Sequence, residues 1–462
     1  MAEHTVIMEN TLRKLLAEKK YATLREILIT MNPADIAAIF NEMEEERLPL
    51  LYRLLPKELA ADTFVEMDQE AQELLIRGFS DSELKEVLDE LFVDDAVDII
   101  EEMPATVVKR ILSQADPEMR RSINEILRYP ESSAGSIMTT EYISLRPEMT
   151  VAEAITRIRR TGIDKETIYT CYVTKDRTLI GVVTVKDLLL CDDDDKHISD
   201  VMMEKVISVN THDDQEEVAQ MFSKYNFMAL PVVDGENRLV GIVTFDDAMD
   251  VMEEEATEDI EKMAAIIPSE KPYMSMTPFE IWKIRIPWLM LLMVSATFTG
   301  LIISHFESAL EKLVILTAFI PMLMDTAGNS GSQASVTIIR GLSLNEIEFK
   351  DIMQIIWKEV RVAVLCGISL GIACFGKIFL VDYLIMGSFT GVSSPFLIIG
   401  VICITLAITV LFAKIVGCTL PLFAKKMGFD PAVMASPFIT TIVDALSLLV
   451  YFGVANVFLN LS

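Results

Sequence analysis

The spacing of apolar positions changes three times along the chain. Across residues 5–127 apolar side chains recur every three to four positions, which predicts helix throughout. Three similar phrases mark this stretch: Met31–Met43, Leu55–Met67 and Leu91–Met103. Each opens on a proline or an acidic residue, a helix-start signal, before its apolar positions begin. A short recurring helical phrase predicts a stacked array, a small α-superhelix, with an ordinary bundle as the alternative. Across 131–252 the pattern becomes β-α. Strand-like runs at Ile168–Thr174 and Ala229–Val233 follow helices expected at Val151–Arg160 and Glu216–Tyr225. Residues 253–280 then read as an acidic amphipathic helix over Glu253–Ile267, with Pro268, Pro272 and Pro278 breaking it and redirecting the chain. From Trp282 onward long apolar runs predict five membrane spans, at about 285–305, 313–340, 357–385, 395–424 and 431–459. The expected domains are therefore 1–130, 131–252, 253–280 and 281–462. The fold class is a multidomain membrane protein.

Two polar interruptions of the apolar runs change the picture. Asp444 lies deep inside the last run, with Thr440 and Thr441 one turn before it. A charge at membrane depth costs several kcal/mol and usually faces a bundle interior or a water path. An ion path is one reading; a carboxylate that is protonated or neutralised by a neighbouring helix is the other. The second span carries Asp325-Thr-Ala-Gly-Asn-Ser-Gly-Ser-Gln-Ala-Ser335 between apolar stretches, so it reads as interrupted. Polar groups and glycines at that depth are tolerated where they are buried in protein or line water. Gly328 and Gly331 would allow close helix approach, with Asn329 and Gln333 either gluing a helix seam or lining a pore. Lys414, inside span four, either pairs with a carboxylate or reaches for the cytoplasmic face.

Charge sharpens the division. The chain has 462 residues and a net charge of −29. Residues 281–462 hold 10 acidic and 11 basic residues, which leaves 59 and 29 of the totals of 69 and 40 for the first 280. An acidic excess of this size argues against nucleic acid as a partner and suits a region that meets cations. Lys283 and Arg285, Arg340 and Lys350, and Lys425 and Lys426 lie on one side of the spans, and the opposite loops are poor in positive charge. The positive-inside rule places the first 280 residues in the cytoplasm and the C-terminus outside. The first twenty residues show no apolar signal-peptide core. The six cysteines have no CxxC spacing, and spans two to five contain no histidine, which disfavours a zinc or copper carrier. No nucleophile–base pair or P-loop suggests an enzyme.

An internal repeat identifies the middle region. Ile137-Met138-Thr139 is echoed by Val201-Met202-Met203, and Leu179–Asp187 is echoed by Leu239–Asp247. The shared ending L-[IV]-G-[IV]-V-T-x-x-D resembles a tandem pair of CBS domains. That resemblance implies a sensor of a small ligand, often an adenine nucleotide such as ATP, or of an ion. It puts Asp187 and Asp247 where a ribose can be contacted, with N-capping of the following helix as the alternative role.

The membrane motifs complete the resemblance. Pro321-x-x-x-Asp325-Thr326-x-Gly328-Asn329-x-Gly331-x-Gln333, with Pro437-x-x-Thr440-Thr441-x-x-Asp444, is similar to the MgtE family of magnesium channels and transporters. The order of regions agrees over essentially the whole chain. Ala327, and Ala445-Leu446-Ser447 after Asp444, depart from the residues common in that family. The resemblance implies a homodimer with a pore on its two-fold axis, in which Asp444 is the pore carboxylate and Asn329, Gln333 and Thr441 are pore residues. Asp325 stands in the same motif. It further implies Mg²⁺ binding at Asp95, Asp98, Glu216, Asp247, Asp250, Glu255, Glu258 and Asp259, with Gly135 offering a carbonyl. The run Asp192–Asp195 reads as a solvated loop. The function implied is Mg²⁺ uptake shut off by cytoplasmic Mg²⁺. A broader divalent transporter (Co²⁺, Ni²⁺, Mn²⁺) and a non-conducting sensor are the alternatives.

Overall fold

The computed structural model describes residues 2–269, 271, 273–390, 394–434 and 436–459; Pro272 of the expected connector lies outside them. The chain forms two compact units, Met1–Met252 and Glu253–Ser462.

The first unit opens with ten helices between Ala2 and Ile126. The recurring phrases become the helices Pro33–Asn41, Lys57–Val65 and Val93–Glu102. Asn32 caps the first by accepting from the Ala34 amide at 3.0 Å, with Pro33 at the position where a missing N–H costs nothing. Packing skips a helix each time. Pro33–Asn41 packs on Lys57–Val65, that helix on Asp81–Leu88, and Asp81–Leu88 on Ala105–Gln114. Helices this short are marginal alone, so the shared core running from Leu12 to Ile126 holds the stack together.

Two three-stranded sheets follow. The first comprises β1 (Ser144–Leu145), β2 (Thr170–Lys175) and β3 (Thr178–Thr184); the second comprises β4 (Val209–Asn210), β5 (Ala229–Val233) and β6 (Leu239–Thr244). In each, the short strand pairs parallel with the middle strand, and a hairpin supplies the antiparallel third. Even the irregularity is repeated: the register shifts between Val173 and Thr174 and again between Val232 and Val233. The echoed motifs pair across the repeats. Thr139 exchanges backbone hydrogen bonds with Ile242, and Met203 with Val182. A side chain on Gly181 would meet Met202 Sδ at 2.6 Å, and one on Gly241 would meet Met138 Sδ at 2.6 Å. The motif methionine of each repeat therefore occupies the space left by the motif glycine of the other.

The last helix of this region begins earlier and ends sooner than its charge pattern suggests. It runs without a break from Phe245 to Met263. Its end is made by Ala265 in the left-handed region, with the Ile266 amide returning to Glu261, so Pro268 follows the stop rather than causing it. Pro278 starts a helix instead of breaking one, behind a capping box between Thr277 and Glu280.

Among the described residues of the second unit, four helical stretches are long and apolar enough to cross a membrane: Pro278–His305, Phe349–Ile385, Pro395–Lys426 and Pro431–Leu459. The second expected span forms the helix Ile320–Ser343, entered through the 3₁₀ turn Val314–Phe319. It is continuous. The polar stretch interrupts its apolar surface, not its hydrogen-bond ladder. Alanine, serine and glycine there keep helical geometry while the helix packs against Pro395–Lys426 and Ser436–Leu459.

Candidate functional site

The helix Ile320–Ser343 has two distinct faces. Ala327, Gly328, Ser330, Gly331, Ala334 and Ser335 are buried. A side chain on Gly417 would fall almost on the Gly331 carbonyl oxygen, and one on Gly331 would lie 3.1 Å from the Ala413 oxygen. Small residues thus make the seam. Asn329 and Gln333 do not glue it: they are exposed, in line with exposed Asp325 four residues earlier. A polar stripe on a helix at membrane depth needs water or another polar surface opposite it.

Asp444 is half-buried on Ser436–Leu459 at the edge of this stripe. A side chain on Gly328 would approach its Oδ1 to 3.7 Å and Thr440 Cγ2 to 3.1 Å. Asp325 acts on Asp444 as a like charge, and no ion pair neutralises Asp444 among the described residues. Thr440 and Thr441 both donate to the Pro437 carbonyl, at 2.9 and 3.0 Å. Their hydrogens are committed to backbone, which leaves oxygen lone pairs to face outward as acceptors.

Lys414 is resolved by its surroundings. It is buried, with Nζ 3.6 Å from Glu359 Oε2 on the helix Ile352–Lys377, so it pairs with a carboxylate rather than extending to a membrane face. That Glu359 oxygen is buried without a hydrogen bond.

The first unit gathers a second group of carboxylates. Asp94, Asp95 and Asp98 project from Val93–Glu102 and interact electrostatically with Asp246, Asp247, Glu141 and Glu166. Among the described residues, no lysine or arginine is among the charges acting on Asp94, Asp95, Asp98, Asp247 or Glu166. Burial, and then the Asp247 and Asp246 charges, push Asp95 up to about 7. Burial and Asp247 push Asp98 up to about 8. Glu166 rises to about 9 through burial and the charges of Asp94 and Asp95. Asp94 and Asp247 are raised in the same way, each by burial first and by nearby carboxylates second. Glu141 also accepts from the Val93 amide at 3.1 Å, and Asp94 Oδ1 is buried with no partner. Among the described residues no three acidic, histidine or cysteine side chains converge tightly enough to hold a bare metal ion.

Gly135, Glu216, Asp250, Glu255, Glu258 and Asp259 are the other expected ligands. Gly135 donates its amide to Thr211 at 3.0 Å and lies against Tyr129, where a side chain would clash. Glu216 stands in the first turn of the helix Gln215–Tyr225, with its side chain accepting from Gln220 at 3.2 Å. Asp250, Glu255 and Glu258 lie along Phe245–Met263. Glu258 and Asp430 both pair with Lys262, at 2.6 Å each, while Asp259 accepts from Ser343 at 3.1 Å. Asp187 and Asp247 are both caps: each Oδ2 accepts from the amide and hydroxyl of the threonine three residues earlier. The sequence reading missed Glu141 and Glu166. Neither stands in a run of acidic residues; only the loop after Thr139 and the approach to β2 bring them to Asp94.

Known proteins match this organisation in every region. A family model described as divalent cation transporter matches residues 320–454, one for the MgtE intracellular N domain matches 31–132, and the CBS domain model matches 134–193 and 198–254. The magnesium transporter MgtE of Thermus thermophilus is 36% identical over 97% of this chain and 98% of its own length. That of Bacillus subtilis is 33% identical over 96% of each. Among solved structures, the cytosolic domain of the Mg²⁺ channel MgtE in complex with ATP shares 38% identity at a TM-score of 0.50, covering 53% of this chain and 99% of that one. The soluble part of a magnesium transporter shares 32% identity at a TM-score of 0.51, covering 55% and 99%. With a polar-striped helix beside a membrane aspartate, tandem CBS repeats and an acidic helical stack in one chain, this protein belongs to the MgtE family of magnesium transporters.

Proposed function

We propose that the chain is a Mg²⁺-selective channel for uptake, closed by Mg²⁺ on its cytoplasmic side. The observation that carries this reading is Asp444: a half-buried carboxylate on a membrane helix, next to an exposed stripe of Asp325, Asn329 and Gln333, with no cation paired to it among the described residues. In a homodimer a two-fold axis along this stripe duplicates Asp444 and gives the stripe a polar surface to face. Two carboxylates with the Thr441 oxygens make an all-oxygen site for a hydrated divalent cation, which selects by charge and hydrated size. The basic residues flanking the spans support an orientation with residues 1–280 in the cytoplasm and the C-terminus outside.

The regulatory half follows from charge. Asp94, Asp95, Asp98 and Asp247 repel one another when no cation is present, and the unpartnered Asp94 oxygen is suited to accept from a cation's water shell. Gly135, Glu216, Asp250, Glu255, Glu258 and Asp259 are the other candidate contacts. Cytoplasmic Mg²⁺ favours the closed arrangement only if it binds that arrangement more tightly. The unbroken helix Phe245–Met263 carries Asp247 in its first turn and is followed along the chain by the first membrane helix, so it is the proposed transmitter. An adenine nucleotide, the ligand of one relative's cytosolic domain, fits at Asp187 or Asp247. Capping uses one oxygen of each carboxylate and leaves Oδ1 for a ribose hydroxyl.

The test is Mg²⁺ flux into liposomes, native against Asp444→Ala, with Mg²⁺ varied on the side of residues 1–280. Flux lost with Asp444→Ala and inhibited by Mg²⁺ on that side is expected. Flux that survives the substitution would refute the pore assignment. Equal flux of Co²⁺ or Ni²⁺ would refute Mg²⁺ selectivity.

A further inference from the structure

The first CBS repeat holds a concavity that the channel reading does not use. It has a volume of ≈ 490 Å³, and Arg146, Arg157, Lys175 and Arg177 are among its lining residues. Glu148 and Asp176 also line it, so its local balance is two positive charges in a region of the chain whose net charge is −30. None of the four cations is in an ion pair among the described residues. Four cations brought together without carboxylate partners repel one another, and an anion among them relieves that repulsion.

The second repeat treats the same place differently. Its hairpin between β5 and β6 carries Arg238, paired with Asp234 at 3.0 Å and with Glu236 at 2.7 Å. The hairpin between β2 and β3 has no such pair. Its two-residue turn also holds Asp176 at φ +51 and Arg177 at φ +70. A turn with both central residues left-handed favours glycine at the second position. An arginine there is held in a disfavoured conformation at a cost that glycine would not carry.

The frame around the cations is well tied. Ser144 and Thr174 share a hydroxyl hydrogen bond of 2.8 Å between β1 and β2. The Pro147 carbonyl accepts from the Ser199 amide at 3.1 Å, and the Glu148 carbonyl lies 3.0 Å from His197 Nδ1. Arg157 comes from the helix Val151–Thr161 and is half-buried. Guanidinium forks match phosphoryl oxygens two at a time, and hydroxyls add neutral donors.

We propose that this concavity binds a phosphoryl chain, a di- or triphosphate, either free or as the tail of a nucleotide. It is separate from the Asp187 position. Arg177 immediately precedes β3 and Asp187 follows its end, so the two lie about 20 Å apart along an extended strand. The proposal does not depend on ion conduction.

Calorimetric titration of full-length protein in detergent tests it, using inorganic pyrophosphate at low ionic strength with divalent cations chelated. Saturable binding is expected. Arg177→Gly should weaken it about tenfold without lowering thermal stability, because glycine suits the turn. Arg157→Ala should weaken it similarly, and Asp187→Ala should leave it unchanged. Competition by ATP but not AMP would identify a nucleotide tail as a source; competition by neither would point to free polyphosphate. No binding at millimolar pyrophosphate, binding indifferent to both arginine variants, loss of binding in Asp187→Ala, or AMP competing as well as ATP would each overturn the proposal.

Discussion

Two sets of carboxylates, Asp94, Asp95, Asp98, Asp247 and Glu166 in the first unit and Asp444 in the second, have no cationic partner among the described residues, and they lack one in different ways. In the first unit the acidic side chains are packed among one another, and burial raises Asp95, Asp98 and Glu166 into or above the neutral range. In the second unit Asp444 stands beside an exposed polar stripe, with Asp325 acting on it as a like charge. A crowded group responds to a cation by losing protons and repulsion together, which suits a sensor. A carboxylate on an open stripe can meet an ion without rearranging, which suits a path. The Lys414–Glu359 pair shows what a compensated membrane charge looks like in the same chain: buried and paired.

The largest expected effect would break the comparison on the membrane side. Asp444→Ala should reduce Mg²⁺ flux at least about tenfold, measured in liposomes, while Asp325→Asn reduces it less. An equal loss from both would make the stripe, not Asp444, the decisive element. Next, Lys414→Met should destabilise the membrane unit by about 3–5 kcal/mol, because it leaves Glu359 buried and unpaired. Lys414→Met combined with Glu359→Met should recover most of that loss in thermal unfolding in detergent. If the double variant is no more stable than the single one, the pair is not compensating a buried charge.

The acidic group of the first unit makes a pH prediction. Its folded-state pKa values lie above those of an unfolded chain, so its contribution to stability is fully present at low pH and is lost as pH rises through about 7 to 9. Without divalent cations the melting temperature of this unit should fall by several degrees between pH 6 and pH 9. Millimolar Mg²⁺ should restore it, more strongly at the higher pH, with release of protons on binding. Asp98→Asn should flatten both trends. A melting temperature indifferent to pH would remove the distinction between the two carboxylate groups.

The smallest effect concerns the frame that carries the first group. Gly181→Ala or Gly241→Ala should cost about 1–3 kcal/mol, since the added methyl meets a methionine sulfur at 2.6 Å. Met202→Ala in the Gly181→Ala background should recover part of it.

Much of this architecture was legible from residue order alone. Period-3.6 patterning marked the helical stack, the echoed L-[IV]-G-[IV]-V-T-x-x-D ending marked both CBS repeats, and apolar length marked the spans. Those are local properties: backbone geometry repeats at fixed intervals, and the burial it requires is written at the same intervals. Asp444 stood out as a candidate for the same reason, because its position within an apolar run is enough to make it costly.

Tertiary structure decided which side chains meet. Asn329 and Gln333 are exposed and Gly331 is buried because of where the neighbouring helices pack, which the composition of the stretch does not encode. The glycine of each repeat makes room for the methionine of the other, contacts that span 21 residues from Gly181 to Met202 and 103 from Met138 to Gly241. Glu141 and Glu166 join Asp94 only after the helical stack and the first sheet are formed. Lys414 had two open readings until the helix Ile352–Lys377 brought Glu359 to it. Interaction energies depend on separation in space, and a single sequence records separation along the chain.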